Sequence, residues 1–284
     1  MNIDTISIKG SGEWNEDALV MNEGLHIYGV LDGATSIHPY RGPNQETCGY
    51  LASACIKHYL EDLRAEEVDS TTLKQVVIQA NKRLRDKMVE AGVNIADKVS
   101  LWTSALALIR VHDYSVDYAQ VGDCMIAAVY EDKSVRVVSR DQVAHIDLES
   151  KRIWEEGIRN GITSREQLWE MVKPVIIKNK SRMNTIGGYS VLSGEPELAD
   201  LVEYGTLNRI NLKAMLMVTD GLFHPVERGS NDSGGLERLV QAVMEKSLSS
   251  YADWLISLEV EDSNCQKYPR FKVSDDKTAV WIQF

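Results

Sequence analysis

Residues 103–139 read TSALALIRVHDYSVDYAQVGDCMIAAVYEDKSVRVVS, and this stretch decides the fold class. Four runs within it (103–111, 115–121, 125–130 and 134–138) are dense in β-branched and aliphatic residues, a composition that suits half-buried pleated backbone. The links His112-Asp113 and Glu131-Asp132-Lys133 are short and polar, as hairpins require. Neighbouring strands joined by tight turns pair antiparallel, because a parallel pair needs a crossover of about a dozen residues or more. The expectation is an antiparallel meander. Working outward, strand patterns stand at 5–8, 18–21 and 26–31, followed by helical patterns at 45–63 and from 73 onward. Ser70 is placed to cap the second of these helices and Gly92 to stop it. Beyond the central run, 147–180 is charged and helical, and strand patterns return at 198–204 and 214–218. Helices follow at 236–247 and 251–259, with a closing strand at 277–284. Strands at both ends with helices between them give an α+β layered fold.

The chain has 284 residues, 44% of them hydrophobic and 26% charged, so a sizeable core is available without disulfide staples. Thirty-one Lys and Arg against 42 Asp and Glu leave a net charge of −11, which argues against nucleic acid or an anionic membrane as the main partner. The apolar runs are strand-length, too short to span a bilayer. The first residues, Met1-Asn2-Ile3-Asp4, lack a basic and apolar leader, and Cys48, Cys55, Cys124 and Cys265 show no metal-ligand spacing. A reducing cytoplasm is the expected location, with no nucleic-acid or membrane partner.

One local theme recurs: an apolar strand ending in aspartate. It appears at Val30-Leu31-Asp32-Gly33, Gln120-Val121-Gly122-Asp123, Met217-Val218-Thr219-Asp220-Gly221, and at Asp275-Asp276 before the last strand. Asn15-Glu16-Asp17 adds a fifth acidic spot just before a strand. A single Asp-Gly is an ordinary turn dipeptide. Several at the ends of strongly apolar strands suggest more. Carboxylates converging without a cation repel one another, whereas an all-oxygen cluster suits hard divalent ions such as Mg²⁺ and Mn²⁺.

Read together and in order, Asn15-Glu16-Asp17, Val30-Leu31-Asp32-Gly33, Thr103-Ser104 with Val121-Gly122-Asp123, Val218-Thr219-Asp220-Gly221 and Asp275-Asp276-Lys277-Thr278 form a series. That series resembles the motifs of the metal-dependent type 2C serine/threonine protein phosphatases, in their bacterial form. The resemblance implies a four-layer α-β-β-α sandwich, two central antiparallel sheets flanked by helices, as one domain over 1–284. A variable, flap-like segment would occupy about 140–182. Carried over residue by residue, Asp32 would bridge two Mn²⁺ or Mg²⁺ ions, the Gly33 carbonyl would ligate one, and Asp220 and Asp275 would hold the other. Asp17 would orient waters, and Asp123 matches the position that helps bind a third ion in bacterial members. The implied chemistry is hydrolysis of a phosphomonoester, with a phosphorylated protein as substrate. A hydroxide bridging the ions, held through Asp32, Asp220 and Asp275, would attack phosphorus directly, so no nucleophilic Cys or Ser is needed. Cys124 therefore reads as a small core residue.

The chain also departs from the family pattern. An arginine that grips phosphate in many members is replaced by Gly12, leaving Lys9 and Arg41 as the candidate phosphate-binding residues. The loop after Asp32-Gly33 reads Ala34-Thr35-Ser36, with His38 as the one nearby histidine, and Gly-Asp-Ser-Arg becomes Gly122-Asp123-Cys124-Met125. Lys173, Lys178, Lys180 and Arg182 make the end of the flap-like segment locally basic, which reads first as a solvated helix end and second as a phosphosubstrate surface. Two other functions stay open: a non-catalytic module that binds a phosphorylated partner, and a phosphatase of phosphorylated small molecules.

Overall fold

In the computed structural model, which describes residues 1–34, 40–68, 71–230 and 235–284, the chain builds two five-stranded antiparallel sheets. Strands β1 (Asn2–Ile8), β2 (Asp17–Asn22) and β3 (Ile27–Ala34) open it. Helices α1 (Cys48–Asp62), α2 (Ala65–Val68) and α3 (Leu73–Glu90) follow. Next come β4 (Thr103–Val111), β5 (Ser115–Val121), β6 (Met125–Tyr130) and β7 (Val135–Val137). Helices α4 (Ala144–Arg159) and α5 (Arg165–Lys180) lead to β8 (Glu203–Asn208) and β9 (Leu212–Val218). Helices α6 (Leu236–Glu245) and α7 (Leu248–Glu261) precede the last strand, β10 (Lys277–Gln283).

One sheet runs β1-β10-β9-β6-β7 and the other β2-β3-β4-β5-β8. Between them lies a core that includes Tyr28, Val30, Ile109, Ile126, Met215 and Val280. Helices α1 and α3 cover the outer face of the β2–β8 sheet through Ile56, Leu60, Val77 and Leu84. Helices α6 and α7 cover the other through Leu239, Val243, Tyr251 and Leu255. The central strands thus have both faces buried, which is why β3, β4, β6, β9 and β10 are apolar nearly throughout, while the edge strands β1 and β8 are more polar. Helix starts follow from local chemistry. Thr47 accepts the Tyr50 N–H at 3.3 Å to cap α1, and Thr72 with Gln75 forms a capping box on α3. The cap expected at Ser70 lies outside the described residues.

Two local expectations need correcting. The four strands of 103–139 are not one meander: β4 and β5 pair in one sheet, β6 and β7 in the other. The crossing happens at Gly122-Asp123-Cys124. Gly122 adopts φ +80°, and a Cβ there would press within 2.7 Å of the Ala105 Cβ, so the change of sheet needs glycine. The strand expected at 198–204 is split: Pro196–Asp200 forms a 3-10 turn led by its proline, and β8 begins only at Glu203.

The α4–α5 pair has a cluster of its own, centred on Trp154, Leu168, Val172 and Cys265. It packs on the loop between α7 and β10: Trp154 Nε1 donates to the Cys265 carbonyl at 3.2 Å, and Arg165 to the Phe271 carbonyl at 3.0 Å. The phenyl ring of Phe271 stands edge-on to Trp154, with ring centroids 5.8 Å apart. Lys180, at the end of α5, is buried rather than solvated, with no hydrogen-bond partner for its ammonium among the described residues.

Candidate active site

Antiparallel pairing places strand ends from both sheets at one end of the sandwich, and the aspartates sit on those ends. Asp17 and Asp32 are cross-strand partners at the start of β2 and the end of β3. Like charges placed directly opposite destabilise a sheet, so this pairing is a feature that packing alone would disfavour. Asp123 lies at the crossing between sheets, Asp220 follows β9, and Asp275 precedes β10. A short network ties the two sheets together here. Thr219 Oγ1 donates to Asp17 at 2.8 Å and accepts the Thr278 N–H at 3.0 Å, while the Thr219 N–H donates to the Thr278 carbonyl at 3.0 Å.

The glycines after two of these aspartates serve close backbone packing. A Cβ on Gly33 would overlap the Gly49 carbonyl, and one on Gly221 would overlap the Asp276 carbonyl. Asp276 and Asp275, though adjacent, do different work. Asp276 accepts the Gly10 and Glu16 N–H groups, each at 2.7 Å, one with each carboxylate oxygen. Asp275 instead faces the other aspartates, with Lys272 Nζ 2.6 Å from its Oδ1.

Electrostatics mark the cluster. Burial pushes the Asp32 carboxyl well above the usual carboxylate range, with Asp17, Asp220, Asp123 and Asp275 pushing it further. Burial likewise raises Asp17 strongly, against the opposing hydrogen bond from Thr219 and with added repulsion from Asp275, Asp276 and Asp220. Asp123 is raised strongly by burial and then by Asp220, Asp141 and Asp147. Burial and Asp275 raise Asp220, although the Asp32 carboxyl donates a hydrogen bond to it.

Two members of this group carry no sequence signal of their own. Asp141 and Asp147, before and within α4, extend the acidity toward Asp123, and burial lifts Asp147 to about 6. Lys151 and Lys272 bring positive charge to the same place. The expected phosphate-binding pair contacts other groups of the chain. Arg41 bridges Glu13 at 2.9 Å and donates to the Gln45 carbonyl at 3.1 Å, and Lys9 donates to the Glu13 carbonyl at 3.4 Å. Both residues are exposed. His38 lies outside the described residues. Cys124 is fully buried, and burial followed by the surrounding aspartates pushes its thiol well above its usual range, the opposite of what a nucleophile needs.

The donor set fits hard divalent cations: recessed, oxygen-only, rich in carboxylates and unable to ionise fully without positive charge. Among the described residues no three His, Cys, Asp or Glu side chains already form a ligand set. The hydrogen bond between Asp32 and Asp220 spends on one another oxygens that a cation would take.

A pH dependence follows. A carboxyl raised in the folded state stabilises the fold fully below its unfolded value, about pH 4, and loses that contribution as pH rises through its folded value. For Asp147 the folded value is about 6. With metal removed by EDTA, the melting temperature should therefore fall as pH rises from about 4 to neutrality. Added Mn²⁺ should restore it most at the upper end. Scanning fluorimetry across pH, with EDTA and with Mn²⁺, tests this; a flat profile in both would contradict it.

Comparison with known proteins gives a consistent outcome. The family model described as protein phosphatase 2C matches residues 7–257. No curated protein matches the sequence. Among solved structures, the chain is similar to the serine/threonine phosphatase Stp1 from Staphylococcus aureus, at 16% identity and TM-score 0.58, covering 99% of this chain and 94% of that one. It is also similar to PppA, a regulatory component of the T6SS in Pseudomonas aeruginosa, at 18% identity and TM-score 0.57, covering 100% and 97%. A third likeness is to the catalytic domain of the serine/threonine protein phosphatase PstP in complex with two manganese ions, at 16% identity and TM-score 0.53, covering 99% and 96%. At these identities the likeness is one of fold.

Proposed function

We propose, since the chain belongs to the protein phosphatase 2C family, that it is a metal-dependent phosphomonoesterase acting on phosphoserine and phosphothreonine in proteins. The observation that carries this reading is the meeting of Asp17, Asp32, Asp123, Asp220 and Asp275 at one end of the two sheets, where burial and mutual repulsion push the carboxyls of Asp17, Asp32, Asp123 and Asp220 above the usual carboxylate range. A fold under no demand for a cation gains nothing from that arrangement.

In this reading Asp32, Asp220 and Asp275 hold Mn²⁺ or Mg²⁺ together with the Gly33 carbonyl. When bound, such ions would lower the pKa of nearby water and offset charge on the phosphoryl oxygens. Asp17, fixed by Thr219 from the other sheet, orients water from behind the ligands. Asp123 is assigned to a third ion, with Asp141 and Asp147 beside it. Asp276 keeps its neighbour in place by clamping the Gly10 and Glu16 backbone. Lys9 and Arg41, both exposed, are assigned to the outer part of the substrate. We take 1–284 as one catalytic domain, with 140–182 as its flap beside the site, and the cytoplasm as its place of action.

The test is hydrolysis of p-nitrophenyl phosphate and of a phosphothreonine peptide by purified protein, with Mn²⁺ and with EDTA. Turnover of both that needs Mn²⁺ and vanishes in EDTA is expected. Turnover of the small ester alone would redirect the assignment to a small-molecule phosphatase. No turnover from folded protein that still binds Mn²⁺ would favour a phosphate-binding module.

A further inference from the structure

Lys272 is held more firmly than a lysine in a long loop usually is. The loop after α7 is knotted around Arg270, whose guanidinium donates to the carbonyls of Glu259 at 2.9 Å, Asp262 at 2.6 Å and Val273 at 2.9 Å. It also bridges the Asp262 carboxylate at 2.8 Å. That carboxylate accepts three further backbone N–H groups, from Gln266, Lys267 and Tyr268. On the flap side, Arg165 holds the Phe271 carbonyl. Below, the buried Lys277 ammonium reaches Glu259 at 2.8 Å and donates to the Asp275 carbonyl and Ser274 Oγ, each at 2.9 Å. Both chain neighbours of Lys272 are therefore pinned by their carbonyls, and its stem starts from a fixed place.

Its ammonium stands 2.6 Å from Asp275 Oδ1, which also takes the Asp276 N–H at 2.9 Å. The side chain is 36% exposed. An ammonium has three donors, and Asp275 is its acceptor among the described residues, which leaves donors for a ligand. Charge balance gives that ligand its sign. Asp17, Asp32, Asp220 and Asp275 just balance two divalent cations, so a phosphate dianion makes the site negative unless a fixed cation stands by. Arg41 is already offset by Glu13. Lys272 acts on Asp275 and Asp32.

We infer that Lys272 is a phosphate-binding residue of this site, its ammonium donating to an oxygen of the substrate phosphoryl group and of the phosphate product. The inference rests on the function proposed above, and deepens it by naming what grips the phosphate.

The experiment uses the 284-residue protein loaded with Mn²⁺, its Lys272→Met and Lys272→Arg variants, and Lys213→Ala for comparison. Calorimetry reads the affinity for inorganic phosphate and, separately, for Mn²⁺; steady-state kinetics on p-nitrophenyl phosphate run alongside. Lys272→Met should weaken phosphate binding by about ten- to a hundredfold, the range for a hydrogen bond to a charged group. Its Mn²⁺ affinity should not fall, because the ammonium beside Asp275 opposes a cation there, and this also shows the site is folded. Lys272→Arg should recover most of the loss, and Lys213→Ala, at the end of β9 away from Asp220, should change phosphate affinity by less than about twofold. Unchanged phosphate affinity in Lys272→Met overturns the inference. So does a loss of Mn²⁺ affinity in parallel, which would make Lys272 a support for the ligands, and so does wild-type protein that binds no phosphate. Wild-type protein that binds phosphate through Lys272 yet never turns over would sink the catalytic reading alone.

Discussion

Asp32→Asn should cost at least about a thousandfold in Mn²⁺-dependent hydrolysis, roughly 4 kcal/mol of barrier, and yet melt at a higher temperature than the wild type in EDTA. The two halves come from one cause. Asp32 faces Asp17 across the strand pair and is pushed upward by burial, then by Asp17, Asp220, Asp123 and Asp275. Asparagine keeps the shape and the capacity to donate to Asp220, but it removes a charge that the metal-free fold bears only by binding a proton. The stabilisation should grow with pH and disappear when Mn²⁺ is supplied to the wild type, because the ion neutralises the same repulsion. A merely structural aspartate would show the reverse, a variant less stable and little changed in rate. Melting curves and initial rates on the same preparation decide it.

Lys277→Met should lower the melting temperature by on the order of 10 °C, and adding Glu259→Leu should recover most of that loss. Lys277 and Glu259 form a buried pair, their side chains 1% and 8% exposed. Removing one partner strands the other charge in an apolar surround, which costs about 3–5 kcal/mol, whereas replacing both with apolar groups is often neutral. For a domain of this size each kcal/mol moves the midpoint by about 2–4 °C. The pair also fixes the Asp275 carbonyl, so the double variant separates its two jobs. If its stability returns while Mn²⁺ affinity stays low, Lys277 positions the ligand loop. If both return, it only fills space. A single variant as stable as the wild type would contradict the argument.

Much of the architecture was legible in the chain because the relevant signals are local. The bounds of β4, β5 and β6 follow directly from apolar runs broken by polar turns, and the layered α+β arrangement from their order. What was not legible is which sheet each strand joins. A hairpin link and a sheet crossing look alike in sequence, and only the positive φ of Gly122, invisible in a one-letter code, distinguishes them. The turn at Pro196–Asp200 was lost because a strand and a proline-led 3-10 turn share an apolar content. The aspartates at strand ends could be found because each sits beside its own strand. Asp141, Asp147 and Lys151 could not, since the segment leading into and through α4 reads as ordinary charged helix until it is folded beside the aspartates. Lys272 carried one faint signal, its spacing of three from Asp275, which is the reach of a turn.

The anchoring of the α4–α5 pair has a consequence for how such a protein can diverge. Its hydrophobic cluster is completed by Cys265 and Phe271, which belong to the loop carrying Lys272 and Asp275, and not by either sheet. The two segments are thus a single inheritable part, although about 80 residues of β-strand and helix separate them in the chain. A change of shape in the outer helices is felt first at that loop. A graft of 140–182 from a relative would arrive without its seat unless 262–276 travelled with it. Recognition outside the cleft and ligand placement within it are free to drift only together.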